Sequence, residues 1–326
     1  MSTKNLKTIV IGTSLKDTSD AIVRTGVRIA QATGAAPWLV HSYALQAFPS
    51  EFGAVDAVWM EEQMKGLREG LVEQGRETGL ADLPGFGPGQ LRLEIGPAHQ
   101  QIVELARRVQ ADLIVVGAAE SGALHHALMG ATADGVIRMA PCPVFVVRPE
   151  AAFPPVRVEI PVDLSPVSSH AFRRGLEFLA RLGVPLAETE ALFILNVLEA
   201  RGSLQFSAGQ IEHFAQDELR RFLEENGQAG SLGLARVRTG YPRDEILAVL
   251  EERRVDLAVL GTHGRRGFER LMVGSVAAAV MHRAACNLLV VPPATGEQRE
   301  AVERQGEDRV GSDWRFVFDE ASPVPA

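Results

Sequence analysis

The feature that most constrains the fold is that the chain repeats itself. Ala111-Asp-Leu-Ile-Val-Val-Gly117 returns as Val255-Asp-Leu-Ala-Val-Leu-Gly261, 144 positions later (261 less 117). Gly96 and Gly240, Gly130 and Gly274, and Cys142 and Cys286 keep the same separation. The apolar residues Ile102, Val103, Leu105, Ala106 and Val109 mark one face of a helix. Ile246, Leu247, Val249 and Leu250 mark its counterpart in the same phase. Agreement in glycines, helix phase and strand position argues for two copies of one domain. A chain of 326 residues is long enough to hold both.

Each copy reads as alternating strand and helix. Thr8–Ile11 and Val156–Ile160 are short β-branched runs that open the halves. Helices follow over Ser19–Thr33 and Ser168–Leu182, with Ser19 and Ser168 as N-caps and Gly34 and Gly183 as C-terminal glycines. Second strands are expected at Trp38–Tyr43 and Ala191–Val197, then long helices from about Val55 to Thr78 and from about Ala208 to Asn226. Leu91–Ile95 and Leu234–Arg238 alternate in period two and predict third strands with a more polar face. The apolar fourth strands end at Gly117 and Gly261, and Val144–Val147 and Leu288–Leu-Val-Val291 are the fifth. This order predicts an α/β fold: two tandem five-stranded parallel-sheet domains with helices on both faces. The boundaries fall at 1–150, 151–293 and 294–326. The link Pro149–Pro155 is short, so the copies must be close neighbours. The last segment is charged, with three aromatics in Trp314-Arg-Phe-Val-Phe318 that could dock on their own domain or reach a partner chain.

The chemistry concentrates in Gly261-Thr-His-Gly-Arg-Arg-Gly-Phe-Glu-Arg-Leu-Met-Val-Gly-Ser275. It runs from the end of an apolar strand to the helix that continues from Val276 to Arg283. Such a junction aims backbone N–H groups and the positive end of a helix dipole at one place, which suits an anion. Gly261, Gly264 and Gly274 lack a Cβ, so the backbone could take positive φ and come close to a ligand. Arg265, Arg266 and Arg270 add positive charge. Ligands of doubly wound sheets bind outside the carboxyl ends of strands, where strand order switches, and this loop begins at such an end.

Other classes are disfavoured. A formal charge of −8 is not the basic footprint of a nucleic-acid binder. No run approaches a membrane span and no leader follows Met1–Lys7, so a cytoplasmic protein is expected. Cys142 and Cys286 are the only cysteines, too few for a disulfide framework, and read as core residues. The adjacent His125 and His126 would point about 100° apart on a helix and would not chelate together. Gly85-Phe-Gly-Pro-Gly89 is not a dinucleotide fingerprint, because Pro88 breaks the geometry and no strand precedes it; it reads as a linker. There is no Gly-x4-Gly-Lys-Ser/Thr loop, and no lysine after Lys65.

The pattern Gly-x2-Gly-x9-Gly-Ser, here Gly261, Gly264, Gly274 and Ser275, resembles the nucleotide loop of the universal stress protein family. Gly-Thr-His-Gly-Arg, Val-Gly-Ser-Val and Ala140-Pro-Cys-Pro-Val144 are similar to that family as well, and the resemblance covers about residues 5–293. It implies a tandem stress protein of the adenine nucleotide alpha hydrolase-like, Rossmann-like group, its domains packed as a pseudo-dimer through their last strands, with a further homodimer open. Members with the intact loop bind ATP. Carried over, Asp163 matches the aspartate that ends the first strand near the adenosine, and Val197 the residue whose backbone meets the base. The candidate nucleotide contacts are therefore Asp163, Val197, Gly261, Gly264, Arg265, Gly274, Ser275 and Val276. ATP would be the ligand, with any Mg²⁺ carried by it, and slow hydrolysis stays open.

The first copy departs from this pattern. Glu120 replaces Gly264, Ala131 replaces Ser275, and Ser14 stands where Asp163 does. Ser121, Gly122 and His126 stand in place of Arg265, Arg266 and Arg270. A carboxylate near a triphosphate opposes binding. The expectation is one competent site, in the second domain. Two alternatives remain. One is a nucleotide-free scaffold acting through protein contacts. The other is an adenylyl-transferring enzyme of the same fold group, which would usually carry a His-x-Gly-His turn that neither Gly12-Thr-Ser14 nor Val162-Asp-Leu164 supplies.

Overall fold

Side chains that alternate across fully buried strands need a hydrophobic layer on each side, and the structure, a computed structural model, provides both. It describes residues 6–44, 57–118, 129–196, 208–228, 234–262 and 273–294. In chain order the elements are β1 (Thr8–Thr13), α1 (Asp20–Thr33), β2 (Ala36–Tyr43), α2 (Ala57–Glu77), β3 (Leu91–Ile95), α3 (Ala98–Arg108), β4 (Leu113–Gly117), α4 (Ala131–Met139) and β5 (Val144–Val147). The second half repeats them as β6 (Val158–Val162), α5 (Pro166–Arg181), β7 (Thr189–Asn196), α6 (Ala208–Glu225), β8 (Leu234–Gly240), α7 (Pro242–Glu252), β9 (Leu257–Gly261), α8 (Ser275–Arg283) and β10 (Asn287–Val291).

All ten strands form one sheet in the order β3-β2-β1-β4-β5-β10-β9-β6-β7-β8. Every pairing within a half is parallel. The exception is the seam, where β5 and β10 run antiparallel, with Phe145 opposite Leu289. The last strands therefore join the halves, as the pseudo-dimer expectation required. Phe145 and Val147 face the layer that holds Val23 of α1, Phe172 of α5 and Phe222 of α6. Val144 and Val146 face the layer that holds Ile102 of α3, Val136 of α4, Ile246 of α7 and Val280 of α8. Both layers cross the seam without a break. The seam also has a polar bond: Arg148 N–H donates to Asn287 Oδ1 (2.9 Å), and Asn287 Nδ2 donates to Ala152 O (3.1 Å).

Several local expectations need correction. Ser168 does not cap α5. Ser165 does, accepting from Ser168 N–H at 3.1 Å, and Pro166 starts the helix with its φ already set. Ser19 occupies the N-cap position of α1, but its hydroxyl makes no cap bond and turns elsewhere. β6 runs two residues later than expected and includes Pro161. Its ladder to β9 covers only Val158 and Glu159, so at Pro161 there is no bond on that side for the missing N–H to break. Gly85–Gly89 links α2 to β3, as expected, and is anchored there: Gln90 takes Gly87 N–H on its Oε1 and donates to Pro37 O. Gly34 and Gly183 do adopt left-handed φ, of 72° and 67°.

Candidate functional site

The strand order places the site. β9 lies beside β6, so the carboxyl ends of a fourth and a first strand meet at one edge, where the order switches. Beyond Glu159 the two strands are no longer laddered, and a doubly wound sheet has its crevice at such a switch point, here between Asp163, just after β6, and Gly261, at the end of β9. The described part of the loop is pinned at its base. Buried Thr262 donates to Val291 O (3.1 Å), and Gly274 N–H donates to Thr262 O (2.8 Å). The chain between them leaves and returns at one point, so α8 starts at the crevice edge. Gly274 is its N-cap and provides no side-chain cap, and no acid stands in the first turn. The leading N–H groups at Ser275 and Val276 have no intrahelical acceptor by helix geometry. Gly274 has φ −59° and ψ 146°, open to any residue, so positive φ is not why glycine is there. What remains is the absent Cβ at the helix start.

Asp163 is built into a turn. Its Oδ1 accepts from Ser165 N–H (3.0 Å) and from Ser165 Oγ (2.6 Å), while the same Oγ caps α5. Between them Leu164 is held at φ 63°, a left-handed conformation that a leucine takes at a strain of ~1–3 kcal/mol. Its equivalent Leu15, after β1, has φ 58°. The turn is thus common to both halves, and the carboxylate is particular to the second. Of the expected contacts, Asp163, Gly261, Gly274, Ser275 and Val276 gather at this edge. Val197, Gly264 and Arg265 lie outside the described residues, as do His263, Arg266, Arg270, Glu120, His125, His126 and Trp314–Phe318.

The same fold recurs in known proteins. The model of the universal stress protein family matches residues 5–148 and again 157–292. The chain belongs to the universal stress protein family. A universal stress protein of Mycobacterium tuberculosis is 29% identical over 248 residues, covering 74% of this chain and 80% of that one. One from Mycolicibacterium smegmatis is 28% identical over 298 residues, covering 87% and 97%. Among solved structures, a universal stress protein from Archaeoglobus fulgidus superposes with a TM-score of 0.64 at 17% identity, covering 88% of this chain and 98% of that one. This shared fold is the tandem arrangement of two universal stress protein domains.

The two universal stress protein domains differ at the corresponding edge in ways a comparison of loops alone does not reveal. The first loop closes identically, with Ala118 N–H on Val147 O (3.0 Å) and Gly130 N–H on Ala118 O (2.5 Å). Gly130 caps α4 with φ −71° and ψ 153°. But α4 carries Asp134 in its first turn, where α8 has Ala278. That acid adds negative charge to the first turn, which disfavours a second anion near the helix start. Asp134 is matched to Arg138 (2.8 and 3.1 Å). Glycine at the strand end has a packing reason there as well: a Cβ on Gly117 would collide with Ile22 Cδ1.

Behind β1 the first domain also fills itself with polar groups. Gln74, from α2, accepts from Thr13 Oγ1 (2.7 Å) and donates to Ser19 Oγ (2.9 Å) and Asp20 Oδ1 (2.8 Å). His41 Nδ1 lies 2.9 Å from Thr13 O. In the second domain Val162, Phe222 and Phe193 take the places of Thr13, Gln74 and His41, and Ser168, the counterpart of Ser19, is left with a buried hydroxyl that has no partner. Asp134 and Gln74 were the residues missed. The 144-residue offset identifies Asp134; Gln74 needs the helix register that only the structure supplies. Cys142 and Cys286 are buried and free, and burial pushes both thiols up to about 12.

Proposed function

We propose that this universal stress protein binds ATP at one site, in its second domain. The adenosine lies by the Asp163 turn and the phosphates by the start of α8. The observation that carries this reading is the pairing, across one crevice, of an acid-free helix N-terminus at Gly274–Val276 with the Asp163 turn. The first domain has neither: Asp134 stands in the first turn of α4 and Ser14 replaces the aspartate. Val197, Gly264 and Arg265 complete the proposed contacts. A few hydrogen bonds to phosphate, ~1.5–3 kcal/mol each and offset by the entropy of association, correspond to micromolar affinity. Among the described residues no cluster of three His, Cys, Asp or Glu could hold a metal, so Mg²⁺ would arrive with the triphosphate. Such a protein acts by reporting nucleotide state to others rather than by rapid turnover. Calorimetric titration of the purified chain with Mg-ATP tests this. One equivalent should bind, and Gly274→Val should abolish most of the affinity while Gly130→Val leaves it unchanged. Two equivalents, or unchanged binding by Gly274→Val, would overturn the assignment.

A further inference from the structure

The second domain contains a buried ionic cluster that the first does not, at the opposite end of its strands from the nucleotide edge. Glu159 on β6 and Glu190 on β7 are register partners in a parallel ladder, and both are fully buried. Arg253, just past α7, places Nη1 at 2.6 Å from Glu159 Oε2 and 2.7 Å from Glu190 Oε2. Only the contact to Glu159 has hydrogen-bond geometry. Arg236, on the edge strand β8, holds Glu190 Oε1 at 2.6 Å. Two carboxylate oxygens, Glu159 Oε1 and Glu190 Oε2, are thus buried without a hydrogen-bond donor.

The first domain handles the same positions without carboxylates. Register makes Val10 the counterpart of Glu159 and Trp38 that of Glu190, and the 144-residue offset makes Val109 that of Arg253. Arg92, the counterpart of Arg236, lies over the Trp38 ring at 5.0 Å. A set with no acid, Arg92 stacked on Trp38, therefore suffices for the fold at this place.

We propose that Glu159, set against Glu190 in a dry layer, holds a proton in the folded protein, and that losing it as the medium turns alkaline loosens the second domain selectively. Two adjacent carboxylates with one shared guanidinium nitrogen cannot both be well solvated as anions in a dry layer. A proton on Glu159 removes one of the two charges. Burial, and then the neighbouring Glu190, push the Glu159 carboxyl up from 4.5 to about 8. Beyond Arg253 and Arg236, the neighbouring charges among the described residues are already engaged. On β8, Arg238 is held by Glu252 and Glu245 of α7. Before β9, Asp256 accepts Val156 N–H and Arg157 N–H and pairs with the Arg157 side chain at 3.6 Å. The sign follows from proton counting. The folded acid holds its proton where the unfolded one has lost it, so this contribution is complete below about pH 4.5 and is lost as pH rises towards about 8.

Hydrogen–deuterium exchange on the full chain, corrected for intrinsic rates, tests this at about pH 5.5 and about pH 8.5. In the wild type, the opening equilibrium of β6 and β7 should rise by about tenfold or more relative to β1 and β2 between those conditions. In Glu159→Gln, which keeps the shape and removes the titration, the ratio should stay flat. An equal response in both halves of the wild type would overturn the proposal. So would a wild-type pH response in Glu159→Gln. The wild-type comparison decides the matter even if that variant does not fold.

Discussion

Replacing Asp163 two ways separates its structural from its binding role. Asp163→Ala removes the oxygen that accepts from both Ser165 N–H and Ser165 Oγ. Bonds to a charged acceptor contribute ~1.5–3 kcal/mol. Both converge on one half-buried oxygen from one residue, so a loss of ~1–2 kcal/mol of stability is expected, or about 3–6 °C in Tm. Weaker ATP binding by that variant would therefore say little about contact. Asp163→Asn is the informative change. The Ser165 donors orient its Oδ1 as before, which puts an NH2 group where the second carboxylate oxygen stood. The turn, the Leu164 backbone and the α5 cap should persist, with Tm within about 2 °C of wild type. A ligand hydroxyl that donated to the carboxylate now faces a donor. Loss of one such bond predicts ATP affinity lower by about 10–100-fold in calorimetric titration. Wild-type affinity in Asp163→Asn would show that the carboxylate serves only the turn, and the adenosine would have to be placed elsewhere.

Three further outcomes follow from the described geometry. Gly274→Val should melt within about 2 °C of wild type, since φ −59° and ψ 146° accept a β-branched residue, yet lose at least about tenfold in ATP affinity by filling the start of α8. Gln74→Leu should lower stability by ~1–2 kcal/mol in urea unfolding: Thr13 and Ser19 still bond each other and Ser19 still donates to Lys16 O, but the amide's bonds to Thr13, Ser19 and Asp20 are lost. A loss below about 1 kcal/mol would mean water replaces the amide. Cys142 and Cys286, with thiols held near pKa 12, should resist Ellman's reagent in native protein at about pH 8 and both react once unfolded; rapid native labelling would contradict their burial.

The architecture was legible because it is written twice. One amphipathic phase or one apolar run leaves strand and helix ambiguous, but Ala111–Gly117 and Val255–Gly261 constrain each other. Element ends were less legible where two signals competed. Ser168 follows Pro166 by two residues, and the Ser165-Pro166 pair marks the true start of α5. The β-branched run Val156–Ile160 did not show that β6 continues through Pro161, where no ladder to β9 needs an N–H. At the site, the 144-residue offset was applied to glycines and basic residues and not to Asp134 and Ala278, although it was equally readable there. The Gln74–Thr13–Ser19 network and the Glu159–Glu190 pair were not readable in that way. Each joins residues from separate elements, and the spacing between those elements differs between the halves.

The seam has a consequence for how the halves find each other. A covalent link holds them at high effective concentration, but either half set free could pair with a copy of itself. The polar bond at the seam discriminates against this. Arg148 supplies the N–H and Asn287 the acceptor. The counterpart of Arg148 is Pro292 and that of Asn287 is Pro143. Two second halves would set Asn287 against a proline with no proton to give, and two first halves would set the Arg148 amide against a proline ring with no oxygen to receive it. Only the unlike pair completes the bond, so the duplicated strands have become a lock and key within one chain.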